Sequence, residues 1–310
     1  MTTDKTNSSE LPGLLVSTEW LSGHLDDPGL RIIDATLTLT FREEGEPLVT
    51  SGRAEWAREH IPGAVYVDIN EELSDRHTDL AHMLPPPDQF AETMGRLGVG
   101  DGHRVVVYSA GRMWWATRLW WMFRVMGFDA VSVLDGGLRK WLDEDRPTTA
   151  EASEFPPAAF TATCRPEWVA DRDAVMAAIG TSNARVINAL WADHHSGEKN
   201  YGYARLGRIA GSLNLPGDDL LDADTNTFLP PDRLAARVAD VVADRATPII
   251  FYCGGGIAAT LDAFCLTLLG YEAVSVYDGS LREWTRDPML PMETDLPCPP
   301  ERCPEAGKIQ

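Results

Sequence analysis

Positive charge is scarce in this chain. Twenty-seven Lys and Arg face 47 Asp and Glu among 310 residues, a formal net charge of −20 at pH 7. That balance argues against nucleic acid or an anionic membrane as a partner. An anionic ligand would need local cations of its own and would be met more slowly at low salt. Cysteine is sparse too. The five present, Cys164, Cys253, Cys265, Cys298 and Cys303, are an odd set that argues against a disulfide framework and for a reducing cytoplasm. Cys298 and Cys303 are separated by Pro-Pro-Glu-Arg and make no C-x-x-C motif. There is no run of 18 apolar residues and no charged-then-apolar leader, so a soluble protein without a signal peptide is expected.

The stretch Pro248–Tyr252 is apolar and leads into Cys253, then Gly254-Gly255-Gly256-Ile257-Ala258 and a helical pattern. This reads as a buried strand, a tight loop and a helix N-terminus, with Cys253 where the strand ends. Glycines let the loop curl so that successive backbone N–H groups point at the sulfur. The positive end of the following helix favours an anionic sulfur. The cradle formed by residues 254–258 would equally suit a persulfide, whose outer sulfur is anionic. A phosphatase-type loop needs Cys-x5-Arg, and the sixth residue after Cys253 is Ala259. The glycines make neither G-x-G-x-x-G nor a P-loop, and Asp193-His194-His195 lacks a second ligand cluster, so no cofactor or metal is expected.

An internal repeat organises the rest. Gly127–Trp141 matches Gly270–Trp284 at 10 of 15 positions without a gap. Upstream, Val105–Ser109 pairs with Ile249–Cys253, and Arg31–Ala35 with Arg185–Ala189. Strands are expected at 31–35, 65–67, 105–108 and 130–134, and again at 185–189, 212–215, 249–252 and 273–277. Helices are expected at 87–97, 113–126, 231–244 and 258–269. The alternation gives an α/β class: two tandem units, each a mainly parallel sheet flanked by helices. In such sheets the site lies at the carboxyl ends of the strands, where Cys253 falls. The units span 15–148 and 166–294, joined by a linker at 149–165 rich in Ala, Pro, Glu and Thr, with a Pro-rich tail at 295–310. Arg139 and Arg282 occupy equivalent repeat positions and read as structural. Arg112 reads as a surface or interdomain charge. The tryptophans at 114, 115, 120 and 121 read first as core or interdomain packing, and second as a wall of the active site.

Several stretches together, His60-Ile-Pro-Gly63, His82-Met-Leu-Pro85, Trp120-Trp-Met-Phe123, Asp135–Trp141 and the Cys253 loop, resemble the tandem-domain rhodaneses. That family comprises thiosulfate and 3-mercaptopyruvate sulfurtransferases. The resemblance implies that only the C-terminal domain carries the catalytic cysteine, with Ser109 in the matching N-terminal place. It implies a ping-pong reaction in which Cys253 takes a sulfane sulfur from a small anionic donor and passes it to a thiol or cyanide. The uncharged loop looks more like the mercaptopyruvate type, yet Gly255 stands where a hydroxyl is expected, and Thr260 is the nearest hydroxyl. Of the two arginines the family uses on the donor carboxylate, Arg205 matches one by position. His194 is a partial substitute for the other, and His82 matches a substrate-side histidine. Asn70 or Asp75 lies near a family carboxylate. The alternatives are a persulfide carrier loaded by a protein partner and a rhodanese module that only binds.

Overall fold

A computed structural model of the chain describes residues 11–42, 45, 47–242 and 244–296. Cys298, Cys303 and nearly all of the expected 295–310 tail lie outside the described residues.

The repeat in the sequence is a repeat in space. In the N-terminal half, strands Leu15–Val16, Val131–Leu134, Arg104–Tyr108, Leu30–Asp34 and Ala64–Tyr66 lie side by side, every pair parallel. In the C-terminal half the same order is made by Val169–Ala170, Val274–Tyr277, Ile249–Tyr252, Arg185–Asn188 and Leu213–Asn214, again parallel. The central strands are β-branched and buried on both sides, as a sheet covered by helices requires. The expected α/β class with two sheets is the observed one. The short edge strands at 15–16 and 169–170 were not anticipated, since two residues carry no readable period. Nor was the antiparallel hairpin Leu37–Thr40 with Leu48–Ser51.

The helices Trp114–Val125 and Ala259–Leu268 pack between the sheets. Trp120 meets Phe264 edge-on at 4.8 Å between ring centroids, and the hydroxyls of Thr117 and Thr260 meet at 3.1 Å. These threonines stand ten residues before Gly127 and Gly270, so the contact joins equivalent points of the two halves. Around it the docking is nearly two-fold. Asp135 accepts the Phe228 N–H, and Asp278 accepts the Leu84 N–H. Arg139 donates to the carbonyls of Ala223 and Asp224, and Arg282 reaches the carbonyl of Ala81. One buried apolar cluster therefore runs through both halves.

Residues 151–165 form neither helix nor strand, but they are not loose. They lie as a strap on the N-terminal half, with Ala158 N–H on the Gly95 carbonyl and Thr163 N–H on the Met126 carbonyl. Gly98, at φ +75, lets the strap approach: a Cβ there would stand 2.3 Å from Cβ of Phe155.

Candidate active site

Cys253 follows the buried central strand Ile249–Tyr252 and is 2 % exposed. The loop after it is held from the next crossover. Leu281 N–H donates to the Cys253 carbonyl at 3.1 Å, and Arg282 N–H to the Gly254 carbonyl at 2.9 Å. Inside the curl sits the Ser280 hydroxyl. It accepts the N–H groups of Cys253 and Gly256, each at 3.1 Å, and donates to the Tyr277 carbonyl at 2.8 Å. Ser280 reaches this place only with a left-handed backbone, φ +50. Gly256 is at φ +74, and a Cβ on it would lie 2.6 Å from Asp278 Oδ1, so only glycine fits the turn. No described residue accepts from the N–H groups of Gly254, Gly255, Ile257 or Ala258. Four donors at a helix N-terminus make a ready anion site.

The N-terminal half ties this loop down. Arg118, fully buried in the helix Trp114–Val125, donates to Asp278 Oδ1 at 2.6 Å, to the Gly256 carbonyl at 3.1 Å and to the His82 carbonyl at 2.5 Å. Leu84 N–H takes the other Asp278 oxygen at 2.6 Å. A buried ion pair is satisfied only when its remaining donors and acceptors find partners, which fixes the geometry as much as the stability.

Above Cys253 lies a half-enclosed pocket of about 80 Å³. Its floor is Cys253, Gly254, Gly255, Ile257 and Ala258. Aromatic rings make much of the wall: Phe41, Trp114, Trp115, Trp191, Tyr201 and Tyr203. Phe41 meets Trp191 at 5.3 Å and Tyr201 at 4.6 Å, so the unexpected hairpin of the N-terminal half closes one side. Two further residues bring polar atoms, His82 and Arg282. Burial first, then the charges of Arg282 and Arg118, push the His82 imidazole down to about 3. His82 is therefore neutral at working pH.

The expected site residues divide. Cys253, Gly254, Gly255, Ile257, Ala258 and His82 come together at the pocket, while Gly256 contributes its backbone behind it. Arg205 does not reach it. Its guanidinium donates to the carbonyls of Thr285, Leu290, Trp284 and Asp287, at 2.7 to 3.2 Å, and fastens the end of the helix Ser280–Trp284. His194 is buried, bonded through Nδ1 to Asp193 at 2.9 Å and stacked on Tyr201 at 4.1 Å, so it backs the wall. Burial lowers its pKa against the opposing pull of Asp193, which makes it a poor cation. Asp193, His194 and His195 lie in the short helix Ala192–Ser196. Thr260 supplies no loop hydroxyl: it bonds the Ile257 carbonyl and Thr117. Neither Asn70 nor Asp75 lines the pocket. Among the described residues no group of three or more His, Cys, Asp or Glu could hold a metal.

Arg282 shares its repeat position with Arg139 and reads as structural from the sequence, yet it also lines the pocket. Arg139 serves the domain contact alone, whereas Arg282 serves the contact and the pocket. Arg112 is the interdomain charge it was expected to be, paired with Asp218 at 2.9 Å and lying over Trp114 and Trp191. The tryptophans split: 114 and 115 face the pocket, 120 and 121 the core.

The rhodanese-like domain family matches residues 17–144 and 184–287, one match on each sheet. The chain is similar to the 3-mercaptopyruvate sulfurtransferase of Escherichia coli K12, 36 % identical over 281 residues, covering 90 % of this chain and 97 % of the relative. It is similar to a nearly equal degree to the thiosulfate sulfurtransferase of Mus musculus, 35 % identical over 288 residues, covering 88 % and 92 %. The crystal structure of SseA from Escherichia coli, described as having the rhodanese fold, superposes with a TM-score of 0.77 at 35 % identity over 86 % of this chain and 98 % of that one. Among the described residues no helix is long and apolar enough to cross a membrane. Two equivalent parallel sheets, a cysteine loop on the second of them and relatives aligned over nearly their full length lead to one statement: the chain belongs to the rhodanese family of sulfurtransferases.

Proposed function

We propose that this protein moves a sulfane sulfur from 3-mercaptopyruvate or thiosulfate to a thiol or cyanide through a persulfide on Cys253. One observation carries the reading: Cys253 forms the floor of the pocket, beneath a loop that leaves four backbone N–H groups without a described acceptor. Such donors suit a sulfur that stays anionic through the cycle. With 3-mercaptopyruvate, the Cys253 thiolate attacks the substrate sulfur. An S–S bond forms, the C–S bond breaks, and its electron pair leaves on carbon as an enolate. The thiol proton lost from the persulfide balances the one that converts the enolate to pyruvate. With thiosulfate, the S–S bond of the donor breaks and sulfite leaves with the pair. In the second half, a thiolate or cyanide attacks the outer sulfur and returns the Cys253 thiolate.

His82, neutral and at the pocket, offers an imidazole that can give and take a proton through its two ring nitrogens. The uncharged 254–258 stretch favours 3-mercaptopyruvate as first donor. Intact mass spectrometry after incubation with each donor, beside a Cys253→Ser control, tests the reading. A gain of one sulfur atom that disappears in the control supports it, and the faster donor is the preferred one. No gain from either donor sinks it and leaves the protein-loaded carrier or the binding module.

A further inference from the structure

The loop after Ser109 reaches the pocket from the other half of the molecule. The Ser109 hydroxyl holds the Arg112 carbonyl at 2.9 Å. Arg112 is the third residue after Ser109, the place that Gly256 holds after Cys253. From there its guanidinium crosses to the C-terminal half, where Nη1 donates to Asp218 Oδ2 at 2.9 Å. The same oxygen accepts the indole N–H of Trp191 at 3.0 Å. The guanidinium carbon lies 4.5 Å from the ring centroid of Trp114 and 5.5 Å from that of Trp191. Those two rings stand 5.9 Å apart, and both wall the pocket over Cys253. One carboxylate oxygen and one guanidinium thus hold two indoles from opposite halves.

An ion pair elsewhere on the domain contact makes a useful contrast. Arg286 meets Asp79 at 2.7 Å, both are exposed, and neither lines the pocket. Exposed pairs of that kind contribute little to stability. Arg112 and Asp218 are also open to solvent, at 41 % and 35 %, so what distinguishes them is the indoles they hold. The N–H bond fixes the orientation of the Trp191 ring, and the cation gathers both rings beside it. The space left between the walls is about 80 Å³, which suits a compact donor.

We infer that Asp218 and Arg112 are positioning residues that set donor size. By holding Trp191 against Trp114 they keep the pocket narrow, and so favour compact sulfur donors over donors with a bulky group beside the reacting sulfur. The inference rests on the proposed sulfur transfer at Cys253 but names residues and a size selection that the transfer alone does not require.

Methanethiosulfonate and benzenethiosulfonate test it, since they differ in bulk but present the same sulfur. With either, the Cys253 thiolate attacks the sulfane sulfur, a new S–S bond forms, the old one breaks, and a sulfinate leaves with the electron pair. Calorimetry of the Cys253→Ser protein reads binding without turnover, and persulfide loading of Cys253 proteins reads the reaction. The wild-type pocket should prefer methanethiosulfonate. Asp218→Ala and Arg112→Gln should each shift the affinity ratio toward benzenethiosulfonate about threefold to tenfold, the size of one net hydrogen bond. The half-saturating concentrations for loading should shift with it, and the maximal loading rate less. Asp218→Asn, which keeps an oxygen for the Trp191 N–H, should shift the ratio less than Asp218→Ala. Arg286→Gln should leave it unchanged, and combining Arg112→Gln with Trp191→Phe should give less than the sum of the two. An unchanged ratio in folded Asp218→Ala and Arg112→Gln proteins, an equal shift in Arg286→Gln, or a wild type that binds neither compound would overturn the inference. A wild type that binds with the expected preference yet takes sulfur from no donor would overturn the transfer reading alone.

Discussion

Ser109 and Cys253 end the central strands of two equivalent sheets, and the contrast between their surroundings shows what makes one of them a site. The crossover grips both in the same way: Leu138 N–H on the Ser109 carbonyl and Leu281 N–H on the Cys253 carbonyl, each at 3.1 Å. Then the halves part. The Ser109 hydroxyl turns into its own loop and donates to the Arg112 carbonyl at 2.9 Å, while Ala110 N–H is taken by the Thr36 hydroxyl. In the C-terminal loop the hydroxyl comes instead from Ser280, which stands where the N-terminal half has Gly137. A Cβ on Gly137 would lie 2.3 Å from the Ser109 carbonyl, so that half cannot hold such a hydroxyl. A shared scaffold thus fixes the position of the strand end. A few loop atoms decide which N–H groups there are taken, that of Ala110 by Thr36 in one half and those of Cys253 and Gly256 by Ser280 in the other.

The contrast can be broken from either side. The largest effect is expected from moving the thiol. Cys253→Ser should lose persulfide loading about a thousandfold or more, and adding Ser109→Cys to it should restore nothing, as read by intact mass. Ser109 is fully buried and outside the pocket, so a thiol there meets no donor. Recovered loading in the double variant would mean that the scaffold, not the loop, makes the site.

Next in size is Arg118→Leu. Arg118 and Leu261 both stand nine residues before the repeat glycine, so this change makes the N-terminal helix resemble the C-terminal one. It strands Asp278 without its guanidinium and should cost about 3–5 kcal/mol in chemical denaturation. The surviving folded protein should also show a raised half-saturating donor concentration, because the Gly256 carbonyl loses its tie.

A gain is expected at Asp262. Its repeat partner is Leu119, eight residues before Gly127, and both Asp262 oxygens are buried without a partner among the described residues. Burial first, then Asp218 and Asp219, hold its pKa well above the usual carboxylate range. The folded protein therefore keeps a proton that the unfolded chain releases above about pH 4, and stability falls as pH rises beyond that value. Asp262→Asn should remove this slope. It should stabilise by about 1–3 kcal/mol at pH 7.5 and by little at pH 4, checked by thermal melts at both.

The smallest effect is spectroscopic. His82 should stay neutral down to about pH 3 in an NMR titration, and Arg282→Gln should move its titration upward by removing one of the two charges that lower it. An unmoved His82 would place the Arg282 charge farther from the pocket floor than the geometry gives.

Much of this was legible in the chain. Strand Ile249–Tyr252 was expected at its observed bounds, and the helices at 113–126 and 258–269 were set one residue too long at each end. Long apolar runs with a clear period announce themselves locally. The helix at 231–244 was drawn five residues too long, since it ends at Ala239 where the pattern itself does not break. Cys253 and its glycines were legible because strand, turn and helix start are contiguous there. The aromatic wall was legible only in part: Trp114 and Trp115 were its second reading, whereas Phe41 and Trp191 come from separate elements that only folding brings to them.

The sequence by itself determined a duplicated α/β chain, a single cysteine loop at a strand's carboxyl end and a family, because repeats and local periods survive in one dimension. Only the tertiary structure decided which cations serve the pocket. Arg205, close in position to where an anchor was expected, spends its donors on four carbonyls, and Arg282, set aside by the repeat, stands over the gap that Gly255 leaves. A guanidinium on a long, flexible stem has a wide choice of acceptors. Which ones it takes depends on neighbours brought close by folding, and spacing along the chain does not record them.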